Sequence, residues 1–169
     1  VFIETNDANS VREVQREILS AYKNDISKHT TKEQSHRIAM VWNSMPSQLS
    51  KENKKFLYGV VKKGGRAKEF ELAIQWLIDA GLIIKVGRVT TPSMPLKVYE
   101  DLSAFKLYLL DVGLLGAMAE INPVQLLLPN DMKESKGMFT ENFVCTQLVT
   151  QFNSSLFYYS KENSTLEID

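Results

Sequence analysis

Glu141 stands on an otherwise apolar helical stripe, and Asp169 closes a run of strand pattern. From Thr140 the run TENFVCTQLVTQF places Val144, Cys145, Leu148 and Phe152 three, four, seven and eleven positions beyond Glu141, on one face of a 3.6-residue period. A carboxylate has therefore joined a stripe expected to face the core. The chain then reads LFYYS, a polar KENS turn and TLEID, two short β-rich runs about a hairpin-like connection. In the second run Leu166 and Ile168 face one way, so Glu167 and Asp169 face the other. A helical Glu and a strand-borne Asp, 169 − 141 = 28 positions apart, can offer hard oxygen ligands to an octahedral Mg²⁺. With a Lys to activate water, that is the metal chemistry of phosphodiester cleavage. Glu141 and Asp169 are thus the candidate catalytic and metal-binding residues, expected to approach each other on one side of the fold. A plainer reading is favoured for this chain. Glu141 follows Thr140 as a first-turn acid stabilised by the helix dipole, and Glu167 with Asp169 forms an exposed strand face.

Other chemistries find less to work with. His29 and His36 are the only histidines, and no cysteine joins them, so a zinc site with three or four protein ligands is not expected. Neither lies near a nucleophile-like turn, which leaves no Ser-His-Asp grouping. Cys145 is the only cysteine; it excludes an intramolecular disulfide, suits a reducing compartment and is most simply a small core residue. Trp42 and Trp76 lie among apolar neighbours on helical patterns and read as core. The one pair of glycines, Gly64-Gly65 in VKKGGRAKEF, lacks the Lys-Ser/Thr of a phosphate cradle, and no GxxxxGK[ST] occurs. The chain is not expected to bind ATP or another cofactor by itself.

The positioning elements follow from periodicity and punctuation. Asn9 or Ser10 is expected to cap a first helix carrying Val11, Val14, Ile18 and Tyr22 and running to about Lys28. A second helix carries Ile38, Met40, Val41 and Trp42 and is expected to end before Pro46. Ser50 is the candidate cap of a short third helix with Phe56, Leu57, Val60 and Val61 on its buried side, broken at Gly64-Gly65. The clearest helix, Ala67 to Ala80, puts Phe70, Ala73, Ile74, Leu77 and Ile78 on one face and ends at Gly81 as a left-handed cap. LIIKV then reads as a strand, with Gly87-Arg88 as its turn. Three helices, a strand and a turn are the order of a winged helix-turn-helix, in which the last helix enters the major groove and basic wing residues meet phosphate. The candidate nucleic-acid contacts are therefore Lys62, Lys63, Arg66 and Lys68 before that helix, and Lys85 and Arg88 at the wing. Glu69, Glu71, Gln75 and Asp79 on its exposed face argue the other way, because carboxylates there repel the DNA backbone. A charged face of a protein-interaction module is the favoured reading. The proline-bearing TTPSMP segment exits this region, KVYE and FKLYLL read as strands, and Asp111 is placed to cap a helix beginning VGLLGAMAE.

Taken in order, KEFELAIQWLIDAGLIIKV, PLKVYED, FKLYLLDVGLL, ENFVCTQLV and LFYYSKENSTLEID resemble the C-terminal region of a family of bacterial and archaeal AAA+-type ATPases. There a P-loop ATPase domain precedes a winged helix and a restriction-endonuclease-like domain of unknown function. The likeness covers most of the chain and is strongest from about Gln48 onward. It implies an ATPase domain before Val1, with ATP and Mg²⁺ as cofactors of that larger protein. It also implies that Glu141 and Asp169 begin a PD-(D/E)xK nuclease-like core whose acidic-x-Lys strand would follow Asp169. Lys106, Tyr108, Asp111 and Gly113 match a Lys-x-Tyr...Asp-x-Gly block that is a hallmark of the family; for Asp111 and Gly113 a helix cap and close backbone packing suffice as an explanation.

Composition is consistent with a folded chain and says little about partners. Lys and Arg number 20 against 20 Asp and Glu, so no global field draws the chain to nucleic acid or an anionic membrane. No apolar run approaches a membrane span and no signal-peptide core opens the chain, so cytoplasm is the expected location. The expected fold is α+β: a predominantly helical winged-helix-like part over residues 1–92, then a truncated PD-(D/E)xK nuclease-like α/β part over residues 93–169. The expected function is a non-catalytic accessory region of an AAA+-type ATPase that binds DNA or a protein partner. The alternatives are a metal-dependent nuclease truncated before its acidic-x-Lys motif, and a structural oligomerisation module.

Overall fold

Asp7 opens the first long helix. Its carboxylate accepts hydrogen bonds from the amides of Asn9 (2.9 Å) and Ser10 (3.2 Å) and from the Ser10 hydroxyl (2.6 Å). The cap therefore lies ahead of the expected Asn9 or Ser10, because one aspartate satisfies two amides that have no partner within the helix. The computed structural model describes residues 2–51, 55–124, 133–152, 154–161 and 167–168. After a short α1 (Phe2–Thr5), α2 spans Ala8–His29 and α3 spans Lys32–Leu49, the latter opened by a capping box between Thr31 and Gln34. The end expected before Pro46 is not found. The helix runs on to Leu49 without the Pro46 amide, because Met45 and Leu49 are buried in the core and their burial outweighs one lost bond near the helix end.

Ser50 closes α3 as its C-cap and does not open the next helix. The next, α4 (Tyr58–Val61), begins after Leu57 with no side-chain cap. Buried Gln48 fixes its entry, its side-chain amide donating to the Leu57 carbonyl (2.9 Å) and accepting from the Leu57 amide (3.0 Å). Then α5 (Ala67–Asp79) buries Phe70, Ala73, Ile74 and Leu77 against α3, and Gly81 at φ 69° ends it.

The strands form one sheet in the order β2-β1-β3-β4. Strand β1 (Ile83–Val89) pairs antiparallel with β2 (Glu100–Leu109) and parallel with β3 (Phe157–Ser160), and β3 pairs antiparallel with β4 (Glu167–Ile168). Gly87 and Arg88 thus lie inside β1 and not in a turn. The register with β2 slips between them, and a Cβ on Gly87 would sit 2.7 Å from the Glu100 carboxylate, so glycine lets the strand bulge and continue. The KVY of the expected KVYE strand is a 3-10 turn, Leu96–Tyr99, leaving Glu100 to start β2. Helices α6 (Val112–Met118) and α7 (Lys133–Phe152) lie between β2 and β3 in the chain. The architecture is α+β and mostly helical. The boundary expected at residue 92 falls in the β1–β2 connection, and buried side chains from both sides of it, Phe56, Phe70, Phe105 and Leu109 among them, share one core. Among the described residues, no helix is long and apolar enough to cross a membrane.

Helix α7 does not bury the stripe its periodicity suggests. Met138, Asn142 and Cys145 face inward, whereas Val144, Leu148 and Phe152 are 46%, 37% and 64% exposed. The rotation has a polar cause. Asn142, fully buried, donates to the Leu109 carbonyl (3.0 Å) and accepts from the Leu109 amide (2.8 Å), which fixes the helix on the end of β2.

Leu77 has no exposed surface, so Leu77→Ala is expected to cost about 2 to 5 kcal/mol through lost transfer energy and a residual cavity. Glu71→Ala, on the exposed face of the same helix, should change little. Chemical denaturation of the two variants measures the contrast, and equal effects would show that the helix faces are misassigned.

Candidate functional site

Alternation along β2 turns Lys106 and Tyr108 to one face, opposite Val86 and Ile84 of β1. Helix α7 crosses that strand. The Tyr108 hydroxyl donates to Glu141 Oε2 at 3.2 Å, one residue before the Asn142 clamp. Lys106 is 1% exposed, and its Nζ lies 4.7 Å from the ring centroid of Tyr158 on β3. The site therefore assembles a phenol and a carboxylate in contact, with a buried ammonium held over a second phenol ring. Of the sequence candidates, Glu141, Lys106 and Tyr108 gather here. Asn142 and Tyr158 are the members that sequence reasoning missed; the signal for Asn142 was its place beside Glu141 at the inward spacing of Met138 and Cys145. Asp169 lies outside the described residues. Among the described residues, no three His, Cys, Asp or Glu side chains gather where they could hold a metal ion.

The remaining two motif residues serve the helix that follows β2. Asp111 caps α6, its carboxylate accepting from the Leu114 amide at 2.8 Å. Gly113 sits under α2, where a Cβ would stand 2.5 Å from the Gln15 side-chain nitrogen and 3.0 Å from the Asp111 carboxylate. Arg12, buried on α2, donates to the carbonyls of Gly113 (3.4 Å), in the first turn of α6, and of Ile121 (3.0 Å), three residues past its end.

The six basic candidates separate into two kinds. Lys62, Lys63, Arg66, Lys68 and Lys85 are exposed, with Lys62 3.6 Å from Glu69 in a surface pair of little weight and Lys85 Nζ 4.8 Å from the Phe105 ring centroid. Arg88 is different. Its side chain is 11% exposed, its Nη1 meets Asp101 at 3.2 Å, and its Nε and Nη2 donate to the Ser160 carbonyl at 3.2 and 2.8 Å. The guanidinium braces β1 to both neighbouring strands and does not stand at a wing tip facing phosphate. The hydrogen bond from the Ser103 hydroxyl does most to hold Asp101 below the usual carboxylate range, with the Ser103 amide and the charge of Arg88 adding to it.

Two measurements check these placements. Arg88→Ala should destabilise the fold by about 1.5 to 3 kcal/mol, the scale of hydrogen bonds to a charged group, while Lys63→Ala should be neutral. Equal denaturation midpoints for both variants would return Arg88 to the surface. Burial pushes the Cys145 thiol up to about 12. A thiol-reactive dye at pH 8 should therefore label the native protein far more slowly than the denatured chain; equal rates would mean that α7 leaves Cys145 open.

The matching family model is described as a domain of unknown function (DUF8612), and it spans residues 1–125, from α1 through β2 and α6. The matched stretch includes Lys106, Tyr108, Asp111 and Gly113, and ends before Glu141. No curated protein and no solved structure matches the chain. With most of its length inside that match, the chain belongs to the DUF8612 family.

Proposed function

We propose that the chain is a non-catalytic accessory region of a P-loop AAA+-type ATPase and that it binds a protein partner. In this reading α3, α4 and α5 with the β1–β2 pair make a winged helix, and α7, β3 and β4 open a restriction-endonuclease-like fold. The observation that carries the choice of partner is the outer face of α5. Where a DNA-reading helix would present cations and amides to the groove, it presents Glu71, Gln75 and Asp79 around Leu72, which is 76% exposed. The Gln75 amide is turned to the Asp79 carboxylate at 2.7 Å. A helix of that character suits a protein groove better than a phosphate-lined one. The use of Arg88 inside the sheet removes one phosphate contact that a basic wing would need.

A second reading, a divalent-metal nuclease built on Glu141, is favoured by the helix-borne carboxylate facing the sheet. Its metal would need further oxygen ligands and a lysine to activate water.

One pair of assays separates these. At about 50 mM salt, where phosphate contacts are strongest, the chain should show no measurable binding to duplex DNA. With supercoiled DNA and Mg²⁺ or Mn²⁺ it should give no nicking. Binding that weakens steeply with salt, with the slope flattened by replacing Lys62, Lys63, Arg66 and Lys68 with Ala, would move the function to nucleic acid. Cleavage abolished by Glu141→Ala would move it to catalysis.

A further inference from the structure

A cleft of about 850 Å³ opens between α2 and α3 where the end of α6 meets them, on no element of the carboxylate corner described above. Its floor is apolar, including Ile26 and Trp42, and its walls carry Arg16 and Lys23 from α2 and Lys32 and His36 from α3. A second cleft of about 460 Å³ adjoins it, sharing Arg16 and Glu120 and lined also by Arg12 and Glu13. The spacing is what the helices dictate. Arg12, Arg16 and Lys23 recur at four and seven positions along α2, and Lys32 and His36 at four along α3, so each set lines one side of its helix. Arg12 stands out: it is 4% exposed, and among the described residues its hydrogen bonds go to two neutral carbonyls and its Nε has no partner. A buried guanidinium without an anionic partner is costly, and its charge is disfavoured further by burial and by Arg16. Against these cations stand two carboxylates: Glu120, which lines both clefts, and Glu13, which lines the smaller one.

An apolar floor ringed by cations and by the hydroxyls of Ser20, Ser27 and Ser35, at this volume, suits a ligand with an anionic end and a flat apolar body. We infer that the α2–α3 cleft is a binding site for a small organic phosphate of nucleotide size, its phosphates held by Arg16, Lys23 and Lys32 and its body over Ile26 and Trp42. Arginine and lysine at these positions supply charge-assisted hydrogen bonds to phosphate oxygens, and the field of Arg12 behind Arg16 adds to the attraction. The site takes nothing from Lys62, Lys63, Arg66 or Lys68, so it stands whether or not the chain binds protein or DNA elsewhere.

Trp42 makes the test direct. Trp76→Phe leaves Trp42 as the sole tryptophan, and titration with ADP should then change its fluorescence saturably. Arg16→Ala and Lys23→Ala, both at exposed positions, should each weaken ADP binding about tenfold or more, as expected for one lost charge-assisted hydrogen bond, without altering the far-ultraviolet circular dichroism. Pyrophosphate should compete with ADP, and adenosine should bind much more weakly. The inference is overturned by any of three results: no saturable fluorescence change up to millimolar ADP, equal binding of ADP and adenosine, or ADP binding that survives the two alanine substitutions. Binding of a thymidine oligonucleotide with no binding of ADP would also overturn it, assigning the cleft to a nucleic-acid strand.

Discussion

Arg88 holds together three strands whose sequences give little sign that they belong side by side. From the centre of the sheet its guanidinium reaches Asp101 on β2 and the last carbonyl of β3, a strand 72 positions further along the chain. Strand β3 is only four residues long and pairs with β1 through three residues, Gly87 to Val89. A parallel pairing that short gains little from its ladder and depends on side-chain contacts to settle its register. The slip at Gly87 brings Arg88 to the position from which both neighbours are within reach. Without the bulge, the arginine would change faces with every residue after it, and the ladder to β3 would lose the guanidinium that holds the Ser160 carbonyl.

The same device recurs wherever the chain lacks a regular partner. Gln48 takes both backbone groups of Leu57 after the α3 end, Asn142 takes both of Leu109 at the end of β2, and Arg12 takes carbonyls in the first turn of α6 and just past its end. Each is a buried polar side chain that binds main-chain groups, and Gln48 and Asn142 do so where helix or ladder has ended. Removing one would orphan backbone amides or carbonyls in a dry environment, which costs more than the hydrogen bond itself contributes. These positions therefore fix how elements meet, while the apolar cluster supplies most of the driving force.

That division explains which parts of the fold were legible in the sequence. Helix α5 was, down to its buried positions and its terminal glycine, since one apolar stripe faced one charged stripe with no competitor. Helix α7 was not. It carries two overlapping apolar stripes, one through Met138 and Cys145 and one through Val144, Leu148 and Phe152, and what distinguishes the first is Asn142, a residue that hydrophobic patterning counts against burial. Pro46 misled for a related reason: local preference ended the helix, and the burial of Met45 and Leu49 continued it. Of the carboxylate corner, Glu141 was visible as an acid on an apolar stripe, but its link to Tyr108, 33 positions earlier, is a tertiary contact that no local pattern encodes. Asp111 and Gly113 were readable as cap and close packing because both are answers to backbone geometry.

Net charge was the least informative quantity, and the reason is spatial. Twenty cations against twenty anions sum to zero, but the sum says nothing of their placement. Cations from α2 and α3 line a concave surface, where low-dielectric walls focus their field, while the carboxylates of α5 stand on a convex outer face where water screens them. At physiological ionic strength a charge is felt over roughly 8 Å, so each surface acts on what touches it and not on the other. A neutral chain can thus present an anion-attracting cleft and an anion-repelling helix at once. The two surfaces then answer to different ligands, and neither requirement constrains the other.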